Sequence, residues 1–303
     1  MVDDRLLLLD APSLYFRAFH GVPRSVVAPD GTPVNAVRGL IDVIARLVTE
    51  HRPSRLVACF DADWRPEFRV RALPSYKAHR VADDGGDGTP DELEPQLPII
   101  DAVLEAFGVA RSEAAGFEAD DVIGTLATRH TSGPVDVVTG DRDLFQLVDD
   151  ARGVRVLYAV EKFAAIDEAE IARRYAIPGR AYGDFAVLRG DPSDGLPGVP
   201  GIGPKSASAL LTRFGSLENV LAAATGTDAG FPAGSRAKIL SAREYIRPAI
   251  GVVQVVTDID LPAFDDHLPA SPRDPAAVAT LAASWGLVSS CARLVTALTA
   301  AAG

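Results

Sequence analysis

The chain has 303 residues, a formal net charge of −11, 48% hydrophobic residues and 23% charged residues. That length supports a core without cross-links, and the composition excludes wholesale disorder. Two distant cysteines, Cys59 and Cys291, exclude a disulfide scaffold and fit a reducing compartment. Five scattered histidines argue against a His/Cys zinc site, and no apolar run reaches the roughly 18 residues of a membrane span. The acidic start, Met1 to Arg5, is followed by only four leucines and does not read as a secretory signal.

In chain order, the first half alternates short apolar runs with helical stripes. Leu6-Leu7-Leu8-Leu9 ends at Asp10, Leu56-Val57-Ala58-Cys59-Phe60 at Asp61, and Val135-Asp136-Val137-Val138-Thr139 at Gly140-Asp141. Short runs that are apolar on both sides predict buried parallel strands. Between them, Val37, Leu40, Ile41, Ile44, Leu47 and Val48 follow helical spacing, as do Leu93, Leu97, Ile100, Leu104 and Phe107. The alternation predicts an α/β fold with a parallel sheet. Residues 83–90, rich in Asp and Gly, predict a mobile loop. Asp167 to Glu170 reads as a capping box opening a helix through Tyr175. From about residue 179 the strand signals fade, and helices with Gly/Pro turns dominate through Tyr245. Val252–Val256 is a further short apolar run, and Asp274-Pro275 starts a helix with a buried stripe of Val278, Leu281, Ala282 and Trp285.

The net charge alone argues against a nucleic-acid binder, yet many acids sit at the ends of apolar runs. They form a series: Asp10, Asp61, Glu118, Asp120, Asp121, Asp141, Asp143, Asp191 and Asp194. In α/β sheets, ligands bind beyond the carboxyl ends of strands, where Asp10, Asp61 and Asp141 stand. Glu118-Ala119-Asp120-Asp121 precedes an apolar stripe, so these acids belong to the first turn of a helix. Asp191 and Asp194 are one helical turn apart. Gathered carboxylates cannot all stay ionised without cations. Hard oxygen ligands suit Mg²⁺ or Mn²⁺, and two such ions would activate water and stabilise an in-line phosphoryl displacement. Downstream, Gly198-Val199-Pro200-Gly201-Ile202-Gly203-Pro204-Lys205-Ser206 precedes the stripe Leu210, Leu211, Phe214. This is a helix-hairpin-helix layout that grips duplex phosphates without reading bases. It is not a P-loop, because Pro204 intervenes before Lys205 and no strand leads in.

Taken together, these residues resemble the bacterial 5′→3′ exonucleases and flap endonucleases, including the N-terminal nuclease domain of DNA polymerase I. The matching segments are 8–20, 60–61, 68–80, 116–121, 139–147 and 190–207, in the family's order. The resemblance implies a PIN-like, Rossmann-like, mostly parallel sheet flanked by helices, with a helical helix-hairpin-helix (H3TH) region in the second half. It implies a nuclease domain over 1–178 with an arch segment at about 65–92, and a helical region over 179–303 with the hairpin at about 185–215. Two divalent ions are implied. Asp10, Asp61 and Glu118 would serve the first, Asp120 would bridge with Asp121 adjacent, and Asp141, Asp143, Asp191 and Asp194 would serve the second. Lys77 and Arg80 match the arch-base cations that bear on the scissile phosphate in that family. Phe16, Arg17, Arg69 and Tyr76 are expected at the DNA. Gly198, Gly201, Ile202, Gly203, Lys205 and Ser206 would hold the duplex, with a K⁺ ion on the hairpin carbonyls. Gly195 stands where relatives commonly have Asn, which reads as a mild change. The implied protein is a stand-alone, monomeric, cytoplasmic bacterial enzyme cutting DNA 5′ ends and 5′ flaps.

Three rivals share parts of this pattern. A haloacid-dehalogenase-type phosphatase needs an acid two residues after Asp10, where Pro12 stands. A PIN-type ribonuclease shares the acidic site but lacks the hairpin. A non-catalytic DNA-binding member of the fold would not need all nine acids.

Overall fold

A computed structural model describes residues 4–81, 88–226, 230–232 and 234–302. The expected mobile loop at 83–90 and the middle of the expected arch fall largely on 82–87, outside the described residues.

One six-stranded sheet organises the first half. Its strands are β1 (Leu6–Asp10), β2 (Arg55–Cys59), β3 (Ala110–Ser112), β4 (Val135–Thr139), β5 (Val154–Tyr158) and β6 (Ala164–Ile166), in spatial order β3-β2-β1-β4-β5-β6. Five strands are parallel, and β6 closes the edge antiparallel to β5. Chain direction across the sheet reverses at β1, which pairs with β2 on one side and β4 on the other. That switch point opens a crevice beyond the carboxyl ends of β1 and β4.

The four leucines of β1 explain why the sheet is covered on both faces. Leu6 and Leu8 enter one apolar cluster, while Leu7 and Leu9 enter the other. The second face is built from α1 (Ala11–Gly21), α2 (Asn35–His51) and, beyond the short α3 (Glu67–Ala72), α4 (Leu97–Phe107). The first face carries α5 (Ala119–Arg129) and α6 (Glu168–Tyr175). Asp167 caps α6 by accepting the Glu170 amide at 2.8 Å, as its sequence predicts.

The helical half continues that first-face core without a break. It comprises α7 (Tyr182–Arg189), α8 (Pro204–Phe214), α9 (Leu217–Thr225), α10 (Ser235–Ser241) and α11 (Arg243–Val253). The apolar run at 252–256 ends α11 and then crosses α5, where Gly124 leaves room: a Cβ there would meet Val255 at 2.3 Å. Asp274 caps α12 (Pro275–Ser284), and α13 (Val288–Ala302) ends the described chain. These two helices pack on α4 and α2, not on α7–α11. The expected region 179–303 therefore splits in space, because the stripes of α12 and α13 complete the second-face core. Among the described residues, no helix is long and apolar enough to cross a membrane.

Candidate active site

A cavity of about 540 Å³ lies beyond the carboxyl ends of β1, β2 and β4. Asp10, Asp61, Glu118, Asp120 and Asp141 line it, facing Lys77 and Arg80, with Phe16 and Trp64 on the wall. Asp10 is the last residue of β1 and the N-cap of α1, accepting the Ser13 amide at 3.1 Å and the Thr139 hydroxyl. The Ser13 hydroxyl accepts the Gly140 amide at 2.9 Å, which ties the β4 turn to the start of α1. Asp61 accepts the Ala119 amide at 2.7 Å, so it docks the start of α5 onto the end of β2. Asp141 accepts the Asp143 amide at 2.9 Å. Asp191 caps a 3₁₀ turn at Pro192–Asp194, accepting the Ser193 amide at 3.1 Å and Arg189 at 2.9 Å.

The acids feel one another. Burial and the charges of Asp61 and Asp141 push the Asp10 carboxyl up to about 7 against the pull of its hydrogen bonds. Burial, then Asp10 and Asp141, raise Asp120 well above its ordinary value. Burial, then Asp141, Asp194 and Asp191, do the same to Asp143. Asp141 stands at the mouth, exposed to water yet walled by protein, and is raised by that enclosure first and by Asp194 second. Asp143, Asp191 and Asp194 do not line the cavity itself; Asp194 is joined to it through the Lys77 amide and Arg80. Among the described residues, no three cavity carboxylates come within 4.8 Å of one another. The one triplet that does, Asp265, Asp266 and His267, lies elsewhere, with Asp266 bonded to Arg55 and His267 to Asp265.

The cations come from the segment after β2. Lys77 adopts a left-handed conformation, φ 48°, and its ammonium bonds Glu118. Burial alone would lower its pKa, but Glu118 and Asp194 outweigh that and raise it. Its amide bonds the Asp194 carbonyl at 3.1 Å, and Arg80 reaches Asp194 at 3.2 Å. Gly195 makes this docking possible: a Cβ there would meet the Ser75 carbonyl at 2.1 Å. Any side chain at this position would strike that carbonyl, so glycine is a steric requirement of this docking.

This basin of carboxylates on a switch-point sheet, followed by a helical half, has relatives. Residues 5–176 match the family described as 5′-3′ exonuclease, N-terminal resolvase-like domain, and residues 177–276 match 5′-3′ exonuclease, C-terminal SAM fold. The chain belongs to the 5′-3′ exonuclease family. It is 57% identical to a 5′-3′ exonuclease of Streptomyces coelicolor, across 97% of this chain and all of that one. It is 52% identical to one of Mycobacterium tuberculosis, across 97% of each. Its fold also matches a bacteriophage T5 flap endonuclease solved with DNA and metal ions, at TM-score 0.63 and 17% identity, covering 97% of this chain and 99% of that one.

Within this 5′-3′ exonuclease, five expected site residues serve the framework instead. Asp121 is fully buried, forms a capping box with Glu118, and accepts the Val256 amide at 2.9 Å. Adjacent helical residues point about 100° apart, so Asp120 and Asp121 cannot share one focus. Arg69 does not reach the surface. Its guanidinium is 2.6 Å from Glu118, 2.6 and 2.7 Å from Asp121, and 3.0 Å from the Val252 carbonyl. Tyr76 is buried, with its hydroxyl on Glu118 at 2.7 Å, and offers no stacking face. Ile202 is a core residue that anchors the hairpin. Gly198 is buried as well: its amide donates to the Tyr245 hydroxyl at 3.2 Å, and a Cβ there would strike Gly190 at 2.6 Å.

The rest of the hairpin faces water. Gly201, Gly203 and Lys205 are exposed, Ser206 is half-buried, and Gly203 caps α8. The Gly201 carbonyl accepts the Lys238 ammonium at 2.9 Å. Phe16 lines the cavity, while Arg17 is exposed, with its stem against Gly140. Sequence reading missed Ser13, Thr139, Gly140 and Trp64. Thr139 and Gly140 follow from the end of β4 and Ser13 from the start of α1 just after β1, but a lone tryptophan in a polar segment carries no periodic signal.

Proposed function

We propose that this nuclease hydrolyses DNA phosphodiesters at 5′ ends and 5′ flaps, with two divalent cations, acting as a monomer on the replication and repair substrates of a bacterial cytoplasm. The observation that carries the reading is the single cavity lined by five carboxylates and two cations at the sheet's switch point.

The donor set fits Mg²⁺ or Mn²⁺: it is all hard oxygen, and burial, then the charges of its own members, raise its proton affinity. Asp10, Asp61 and Glu118 would hold one ion, Asp141, Asp143, Asp191 and Asp194 the other, with Asp120 between them. Such ions, when bound, supply Lewis-acid polarisation of the phosphate and a more acidic water. The chain's own groups do the rest. Lys77 and Arg80 project positive charge across the cavity toward the phosphate that sits there. Asp194 holds Arg80 in place. The α8 amides, Gly201, Gly203, Lys205 and Ser206 grip the duplex backbone at a second point, which fixes the distance from duplex to cut. For K⁺ at the hairpin the fit is poorer, since Lys238 already occupies the Gly201 carbonyl. No step is assigned to a monovalent ion.

The test is cleavage of 5′-labelled flap, blunt duplex and RNA-flap substrates with Mg²⁺, with Mn²⁺ and with chelator. Metal-dependent release of short 5′ products from the DNA substrates is expected. No DNA cleavage above the chelator control, or cleavage of RNA alone, refutes the reading.

A further inference from the structure

Trp64 stands where packing gives it no reason to be. It is one of two tryptophans in the chain. Its ring lines the acid cavity and is only half-buried. Among the described residues it joins none of the three apolar clusters. The other tryptophan, Trp285, packs on the second-face core. A large ring left beside a polar cavity forgoes burial worth roughly 2 kcal/mol or more, unless something covers it in use.

Its mount is rigid. The Asp63 amide donates to the Phe117 carbonyl at 3.1 Å, and the Arg65 amide to the Asp63 carboxylate at 3.0 Å. The Arg65 guanidinium clamps the carbonyls of Tyr76, at 2.6 Å, and Pro74, at 3.0 Å. The Lys77 ammonium lies 3.5 Å from the Trp64 carbonyl itself. The backbone is thus fixed on one side to Phe117, ahead of α5, and on the other to the segment that carries Lys77, while Trp64 lines the cavity. A phosphate set between Lys77 and the acids brings its attached base to that wall. Only an unpaired base has a free π-face to offer, and stacking on an aromatic ring accepts any base.

We propose that Trp64 is the stacking platform for an unpaired nucleobase entering the cavity. The proposal rests on the DNA-cleavage reading above and deepens it, because it makes an unstacked nucleotide part of what the site recognises.

In a Trp285→Phe background, Trp64 is the chain's one tryptophan. Titrating that variant with a 5′-flap oligonucleotide in metal-free buffer should quench its emission, whereas fully paired blunt duplex should leave it near the free value. Trp64→Leu should raise KM for flap cleavage roughly 5- to 150-fold, the equivalent of one lost stack, and Trp64→Phe should retain most of the affinity. Flaps with one abasic residue at successive positions near the junction separate stacking from structure. At one position the wild-type protein should fall to the Trp64→Leu value and the two proteins become equal. If Trp64→Leu unfolds early, the Trp285→Phe emission on the same abasic series gives the answer, with quenching lost at that one position. Equal KM for wild type and Trp64→Leu, the same Trp64→Leu deficit at every abasic position, or quenching indifferent to them all, overturns the stacking role. DNA cleavage would still stand in those cases. A wild-type protein that cleaves no DNA in any metal removes both.

Discussion

The buried Arg69 offers a direct test of which residues build the site and which meet DNA. Its guanidinium is 4% exposed, Glu118 is 6% and Asp121 is 0%. Arg69→Met keeps the apolar stem but strands Asp121 in the interior and leaves Glu118 to Lys77 and Tyr76. Removing one partner of a buried ion pair costs about 3–5 kcal/mol. Unfolding entropy of about 2.1 cal/mol/K per residue, over 303 residues, gives about 0.6 kcal/mol per degree. The melting temperature should therefore fall by about 5–8 °C. Asp121→Asn added to Arg69→Met should restore part of the loss, since it removes one stranded charge, with a coupling of about 1–3 kcal/mol in the double-mutant cycle. Thermal unfolding of the four proteins reads both quantities. Unchanged melting of Arg69→Met, together with a salt slope of DNA affinity reduced by about one, the mark of a lost phosphate contact, would refute the structural role and return Arg69 to the DNA surface.

Three further outcomes follow from the same geometry. Lys77→Ala should lower single-turnover cleavage about 10²- to 10³-fold while DNA affinity changes less than about twofold; a large affinity loss with an unchanged rate contradicts its place on the scissile phosphate. Gly195→Ala should force the Ser75 carbonyl away and cost about 1–3 kcal/mol, with cleavage falling in step because Lys77 and Arg80 dock on the same turn; full activity and stability would show that the turn yields freely. Asp184, on α7, caps α9 through the Leu217 amide at 2.9 Å, and burial raises its carboxyl to about 6. A raised folded pKa means its contribution to stability is fully present below about pH 4 and is lost as pH rises through about 6. Asp184→Asn should therefore stabilise the protein at pH 7.5, by at most about 3 kcal/mol, and the gain should vanish near pH 4; a gain equal at both pH values would disprove that origin.

Asp10, Asp61 and Asp141 were legible in the sequence because each ends a run that is apolar on both sides, and the parallel sheet delivers such ends to one edge. The strands β3 and β6 were not, since three residues carry no period, and β5 went unread beside clearer signals. Arg69 was unreadable for another reason: its partners lie 49 and 52 residues away, and an arginine destined for burial looks the same as one destined for phosphate. Asp121 sits between these cases. The run Glu118 to Asp121 has capping-box spacing, and that signal was present beside the metal-ligand reading. Helical geometry allows one of Asp120 and Asp121 to face the cavity, but only the tertiary position of Arg69 decides which.

That choice also shows how the site is held. Glu118 receives Arg69, Tyr76 and Lys77 together, so one carboxylate joins the helix cap, the buried ion pair and the cavity. Asp61 fixes the same helix start from the other side through the Ala119 amide. The start of α5 is therefore pinned by β2, by α3 and by the segment carrying Lys77 at once. Asp120, held between them, is the acid left to answer to whatever charge enters the cavity, and burial, then its neighbours Asp10 and Asp141, raise it well above its ordinary value. Rigid placement of the surrounding carboxylates leaves their mutual repulsion unrelieved by movement. A cation is the means of relief that the geometry leaves open.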